Sequence, residues 1–90
     1  MKSIKVKVAA ATGLHARPAT VIAEAAADYD EDIFIALVDN PDDDEPADAS
    51  SSLMIMALGA EKDDEVIVTS ENDEAAEKIA ALIASDLDAH

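Results

Sequence analysis

The chain has 90 residues, half of them apolar, no cysteine, and 21 acidic against 6 basic residues, for a formal charge of -15 at pH 7. This length holds one small core and no deep catalytic cleft. The missing cysteine excludes a disulfide framework, a thiolate zinc site and thiol catalysis, and the acid excess argues against nucleic acid, whose phosphates need Lys and Arg.

In chain order, Met1-Lys2-Ser3-Ile4-Lys5 shows no long apolar stretch after its charges. No segment approaches the length of a bilayer crossing, so neither a signal peptide nor membrane insertion is expected, and the location expected is cytoplasmic. Ile4, Val6 and Val8 alternate with Lys5 and Lys7, the pattern of a half-buried strand. Ala9 to Thr12 lead to a loop at Gly13. The chain then reads as helix from Ala16 to about Tyr29, because Pro18 is tolerated only in a first turn. Ala19, Ile22, Ala23 and Ala26 recur at helical spacing and face a core.

Ile33 to Val38 is a short apolar run of the central-strand kind. Asp39 to Asp48 is an acidic, Pro-containing loop, with a ragged edge strand around Pro46 to Ala49, where Pro and charge guard an edge. Its Asp42-Asp43-Asp44-Glu45 run lacks the alternating spacing of a calcium loop and reads as a solvated, salt-adapted segment.

Ser50, Ser51 and Ser52 offer N-caps to a short helix from Leu53 to Leu58, which Gly59 ends. Ile55 and Leu58 are assigned to the core, and Leu53 and Met54 to an exposed partner surface, where an adaptable Met suits several partners. Val66 to Val68 form a strand. Ser70 or Asn72 caps the last helix, whose apolar stripe is Ala75, Ala76, Ile79, Ile83 and Leu87. The order β, α, β, weak β, short α, β, α is α+β, with helices on one face of a mostly antiparallel sheet.

The chemistry concentrates in Gly13-Leu14-His15-Ala16-Arg17-Pro18-Ala19-Thr20. A single His in a short chain is ordinarily incidental, Arg17 alone is ordinarily a surface charge, and Pro18 alone is a helix start. Together they place an imidazole at a helix N-terminus beside a guanidinium, which is an anion site built around a nucleophile. Backbone N–H groups of Ala16 and Arg17 supply donors to phosphate oxygens, the Arg17 side chain adds a charge-assisted contact, and Thr12, which shapes the loop, is a third phosphate-binding candidate. Phosphoryl transfer is mainly positioning and charge stabilisation. No carboxylate–His cluster stands at ligand spacing and His90 is terminal, so no metal and no cofactor are expected.

This octet, with Ser51-Ser52-Leu53-Met54-Ile55-Met56-Ala57-Leu58-Gly59, resembles the histidine-containing phosphocarrier (HPr) family of the phosphoenolpyruvate:sugar phosphotransferase system, in a salt-adapted, haloarchaeal form. The resemblance covers nearly the whole chain. It implies a single domain over 1–90 folded as an open-faced β-sandwich, a four-stranded antiparallel sheet with three helices on one face. It also implies that His15 takes a phosphoryl group on Nδ1 from phospho-enzyme I and passes it to enzyme IIA domains, with Arg17 stabilising the phosphate. Delivery then serves sugar uptake, fructose by analogy, or a dihydroxyacetone kinase phosphotransfer subunit. Such a carrier is a monomer and a phosphotransfer intermediate rather than a stand-alone catalyst. Ser51 matches a serine that is phosphorylated for regulation in some members, where added negative charge opposes an incoming phosphoryl group; it is equally an N-cap. Ser52 and Ser50 depart from the family pattern, which has an apolar residue after that serine and commonly a basic one before it. The competing reading is a regulatory or binding module of the same fold that transfers nothing.

At roughly 1 M salt the Debye length is about 3 Å, so self-repulsion of the acidic surface is largely screened. The melting temperature is therefore expected to rise from dilute buffer to molar KCl. A flat thermal-denaturation series across that range contradicts salt adaptation.

Overall fold

The alternation of the first strand sorts its side chains between two faces. In the computed structural model, which describes residues 2–11, 13–38 and 46–85, β1 (Lys2–Lys7) turns Ser3, Lys5 and Lys7 to solvent and Ile4 and Val6 inward. β2 (Ile33–Leu37) buries Ile33 and Ile35 and exposes Phe34. β3 is only Ala47–Asp48, and β4 (Glu65–Ser70) buries Val66, Val68 and Ser70. These form one antiparallel sheet in the order β1-β4-β2-β3. Ile4 pairs with Val68, Val68 with Ile35, and Ile35 with Ala47, so one apolar row crosses all four strands on the helix-facing side.

The helices are α1 (Ala16–Ala26), α2 (Ser52–Ala57) and α3 (Asp73–Ile83). α1 buries Pro18, Ala19, Ile22 and Ala26; α3 buries Ala75, Ala76, Ile79, Ala80 and Ile83. Small Ala positions let α1 approach α3, while α3 covers β1 and β4. Each Ile or Val so enclosed contributes about 1.5–3 kcal/mol. With β4 lying between β1 and β2, the β1-α1-β2 unit is a split βαβ.

The boundaries move in places. α1 stops at Ala26 rather than near Tyr29: Ala27 is its C-cap, and the N–H groups of Asp28 and Tyr29 make tighter three-residue bonds to Ala25 and Ala26. Asp28, Asp30, Glu31 and Asp32 crowd this end, where the negative pole of the helix dipole disfavours carboxylates. Asn72, not Ser70, caps α3, its Oδ1 accepting the Ala75 N–H at 3.2 Å, while the buried Ser70 Oγ accepts the Asn72 N–H at 3.1 Å. Leu58 is half-buried rather than a core residue, because six-residue α2 sits at the rim with only Ile55 inside. Gly59 follows its C-cap with φ +69°, the left-handed turn expected of it. Leu87, His90 and the Asp42–Glu45 run lie outside the described residues.

The segment after β1 is tied down before it reaches α1. The Val8 N–H donates to the Asp64 carbonyl at 2.9 Å, the Ala9 N–H to Ile83 at 3.1 Å, and the Leu14 N–H to Ala60 at 3.0 Å. Gly13 adopts φ +76°, and a Cβ there would lie 2.4 Å from the Ala60 carbonyl oxygen and 2.8 Å from Glu61 Cα, both backbone atoms. Gly13→Ala is expected to lower stability by at least about 2 kcal/mol, adding a left-handed penalty to a backbone clash. Thermal melting should show a loss of about 10 °C.

Candidate functional site

Leu14 is fully buried and anchors the loop, and the next residue, His15, is half-exposed and forms the N-cap of α1. Its backbone is extended (φ -122°, ψ 158°), and its imidazole does not cap the helix. The ring is thus presented at the positive end of the helix without being spent on it. Arg17 is exposed two residues on. The ion pairs among the described residues, Lys2–Glu77 and Lys5–Glu65, do not involve it.

The first turn of α1 carries no acidic residue, whereas that of α3 carries Asp73 and Glu74. The first turn of α2 is likewise free of acids, so at the α1 terminus no carboxylate of its own first turn opposes an external anion. Pro18 brings no N–H to that turn. The Arg17 N–H has no backbone acceptor among the described residues. The Ala16 N–H, expected from its position to be free for phosphate, is instead occupied: it donates to the thioether Sδ of Met56 at 3.4 Å.

Ala16 itself has φ +49°, a left-handed conformation that costs a residue with a Cβ about 1–2 kcal/mol. Its neighbours hold it there. The Thr20 hydroxyl donates to the Ala16 carbonyl oxygen at 3.1 Å, and α2 supplies the Met56 contact on the other side. Thr20, four residues on, was within reach of a helical-spacing argument; Met56, forty residues away in sequence, carried no local signal.

On α2, Ser51 is the N-cap: its Oγ accepts the Met54 N–H at 3.3 Å, and its own N–H donates to the Asp48 carbonyl at 2.9 Å. Leu53 is 74% exposed and Met54 41%, and they lie on a helix packed against α1. Thr12 lies outside the described residues. A shallow cavity of 250 Å³ at the far end of α1 is lined by Asp30, Glu31, Asp32 and Asp48 and repels rather than attracts an anion. Among the described residues, no group of three or more His, Asp or Glu is placed to hold a metal ion.

A family model described as the PTS HPr component phosphorylation site matches residues 2–85. The chain belongs to the HPr phosphocarrier family of the phosphotransferase system. The phosphocarrier protein HPr of Streptomyces coelicolor is 37% identical over 98% of this chain and 94% of its own length. That of Haloferax volcanii is 36% identical over 78% of this chain and 75% of its own. The crystal structure of an HPr from Thermoanaerobacter tengcongensis superposes with a TM-score of 0.84 at 29% identity, covering 100% of this chain and 99% of that one. The open-faced fold expected from the sequence is therefore the HPr fold. Among the described residues, no helix is long and apolar enough to cross a membrane.

The Ala16 backbone yields a stability prediction. An Ala→Gly change inside a helix ordinarily lowers stability by about 0.5–1 kcal/mol. Ala16→Gly removes the Cβ penalty of the left-handed conformation, so its melting temperature in molar KCl is expected to equal or exceed that of the parent. An ordinary loss would show that Ala16 is not strained.

Proposed function

We propose that His15 is the phosphoryl-accepting residue of this HPr-family chain, and that residues 1–90 act as one cytoplasmic carrier domain between two partner enzymes. The observation that carries the reading is a half-exposed imidazole at the acid-free N-terminus of α1, with Arg17 beside it. The donor is the phosphohistidine of enzyme I, charged in turn from phosphoenolpyruvate. As the donor P–N bond breaks, a new one forms at His15 Nδ1. The second transfer, to an enzyme IIA domain, returns the imidazole to its starting state. Sugar uptake, with fructose favoured by analogy, or dihydroxyacetone phosphorylation is the downstream use.

Arg17 holds the phosphoryl oxygens by guanidinium and backbone N–H, and Ala16 adds a second backbone donor once its N–H leaves the thioether. Long-range attraction is absent from so acidic a molecule, so these short contacts carry the binding. Leu53 and Met54 supply an exposed apolar surface on the adjoining helix, suited to docking either partner as a monomer. Ser51 already serves α2 as its cap, and phosphate there would act by placing negative charge on the helix next to the site.

Incubation with phosphoenolpyruvate and enzyme I in molar KCl is expected to place acid-labile, base-stable phosphate on the parent chain and none on His15→Ala. Arg17→Ala should melt like the parent and accept phosphate about 10- to 100-fold more slowly, the loss of one or two charge-assisted contacts. Equal labelling of His15→Ala removes His15 from the reaction, and unchanged rates in Arg17→Ala remove Arg17.

A further inference from the structure

We propose that Met56 is an oxidation-sensitive positioning residue: its thioether holds the Ala16 N–H in reserve for the phosphoryl group, and conversion to the sulfoxide withholds that N–H. The effect on transfer rests on the carrier reading above; the contact itself does not.

The three helices treat their first turns differently. α2 and α3 satisfy an N-terminal N–H with a side-chain oxygen, Ser51 Oγ and Asn72 Oδ1. α1 receives no such cap from His15, and its Ala16 N–H meets sulfur instead, 3.4 Å away on α2. A thioether is a weak acceptor. It keeps the N–H from being wholly unpaired and gives it up readily to an anionic oxygen, whose hydrogen bond is charge-assisted. The left-handed Ala16 and the Thr20 bond to its carbonyl hold that peptide beside Met56. Met56 thus keeps a donor in place without competing for it.

The same sulfur is open to chemistry. Met56 is half-buried on a rim helix whose preceding Leu53 and Met54 are exposed, within reach of a small peroxide. A sulfur lone pair attacks one peroxide oxygen, the O–O bond breaks, the S=O bond forms and water leaves; sulfur is oxidised by two electrons and the peroxide reduced by two. The sulfoxide oxygen is polar and a far better acceptor than the thioether. It retains the Ala16 N–H. The phosphoryl group then loses one of its donors.

The test uses the full chain, Met54→Leu and the double variant Met54→Leu/Met56→Leu, each before and after graded hydrogen peroxide, with oxidation followed by mass. One readout is the Ala16 amide resonance in the unphosphorylated protein. The other is the ratio of the phosphoryl-acceptance rate after treatment to that before. In the parent and in Met54→Leu, the amide is expected to move as the Met56 sulfoxide forms, and the rate to fall about tenfold, the worth of one charge-assisted hydrogen bond. In Met54→Leu/Met56→Leu, peroxide should leave both the amide position and the rate ratio unchanged. Methionine sulfoxide reductase should restore the parent.

An unmoved Ala16 amide at full Met56 oxidation overturns the proposal. So does a moved amide with undiminished transfer, or a Met54→Leu/Met56→Leu chain as sensitive as Met54→Leu. If the untreated chain takes no phosphate, the carrier reading fails and the effect on transfer fails with it; the amide readout separates that failure from failure of the Met56 contact.

Discussion

The close approach of Gly13 to the backbone at Ala60 and Glu61 is the constraint on which the site depends. No Cβ fits between the two segments, so the loop can lie flat on the chain leaving α2. The Leu14 N–H then reaches the Ala60 carbonyl, and its side chain fills the core. His15, the next residue, is left at the start of α1 with its ring outward. The same joint fixes where α2 sits, because α2 ends just before Ala60. One contact therefore positions both the imidazole and the thioether that faces the first turn of α1.

Charge is arranged around this site rather than used to build it. The ion pairs of the described residues are exposed, with side chains 40% and 59% accessible in Lys2–Glu77 and 59% and 37% in Lys5–Glu65. Pairs of this kind contribute at most about 1 kcal/mol and less in strong salt. The fold rests instead on the apolar row across the sheet and the Ala and Ile faces of α1 and α3. Acids occupy the favourable first turn of α3 and crowd the end of α1, yet are absent from the first turns of α1 and α2. The start of α1 thus presents Arg17 and the positive pole of the helix dipole with no first-turn carboxylate to offset them.

Much of the fold was legible because its signals are short-range. Pro18 marks the first turn of α1, Asn72 stands three residues before the N–H it caps, and Ile4 and Val6 alternate with lysines over one strand. Where the reading overran, the deciding factor was less local. Apolar Ala residues carried α1 on toward Tyr29, although the carboxylates beyond Ala26 oppose its negative pole. Ile55 and Leu58 share a helical face by spacing, but depth along that face depends on what lies opposite, and only Ile55 is enclosed. In the site, His15 and Arg17 could be read from one octet, whereas the state of the Ala16 N–H could not.

The sequence by itself determined the order and type of the elements, the faces of the strands, the start of α1 and the residues gathered there. Each of these depends on neighbours within a few positions, where spacing is equivalent to geometry. Only the tertiary structure decided the strand order β1-β4-β2-β3, the left-handed Ala16 and the Met56 sulfur beneath its N–H. These arise where packing brings together atoms far apart in the chain, so no local pattern of residues encodes them.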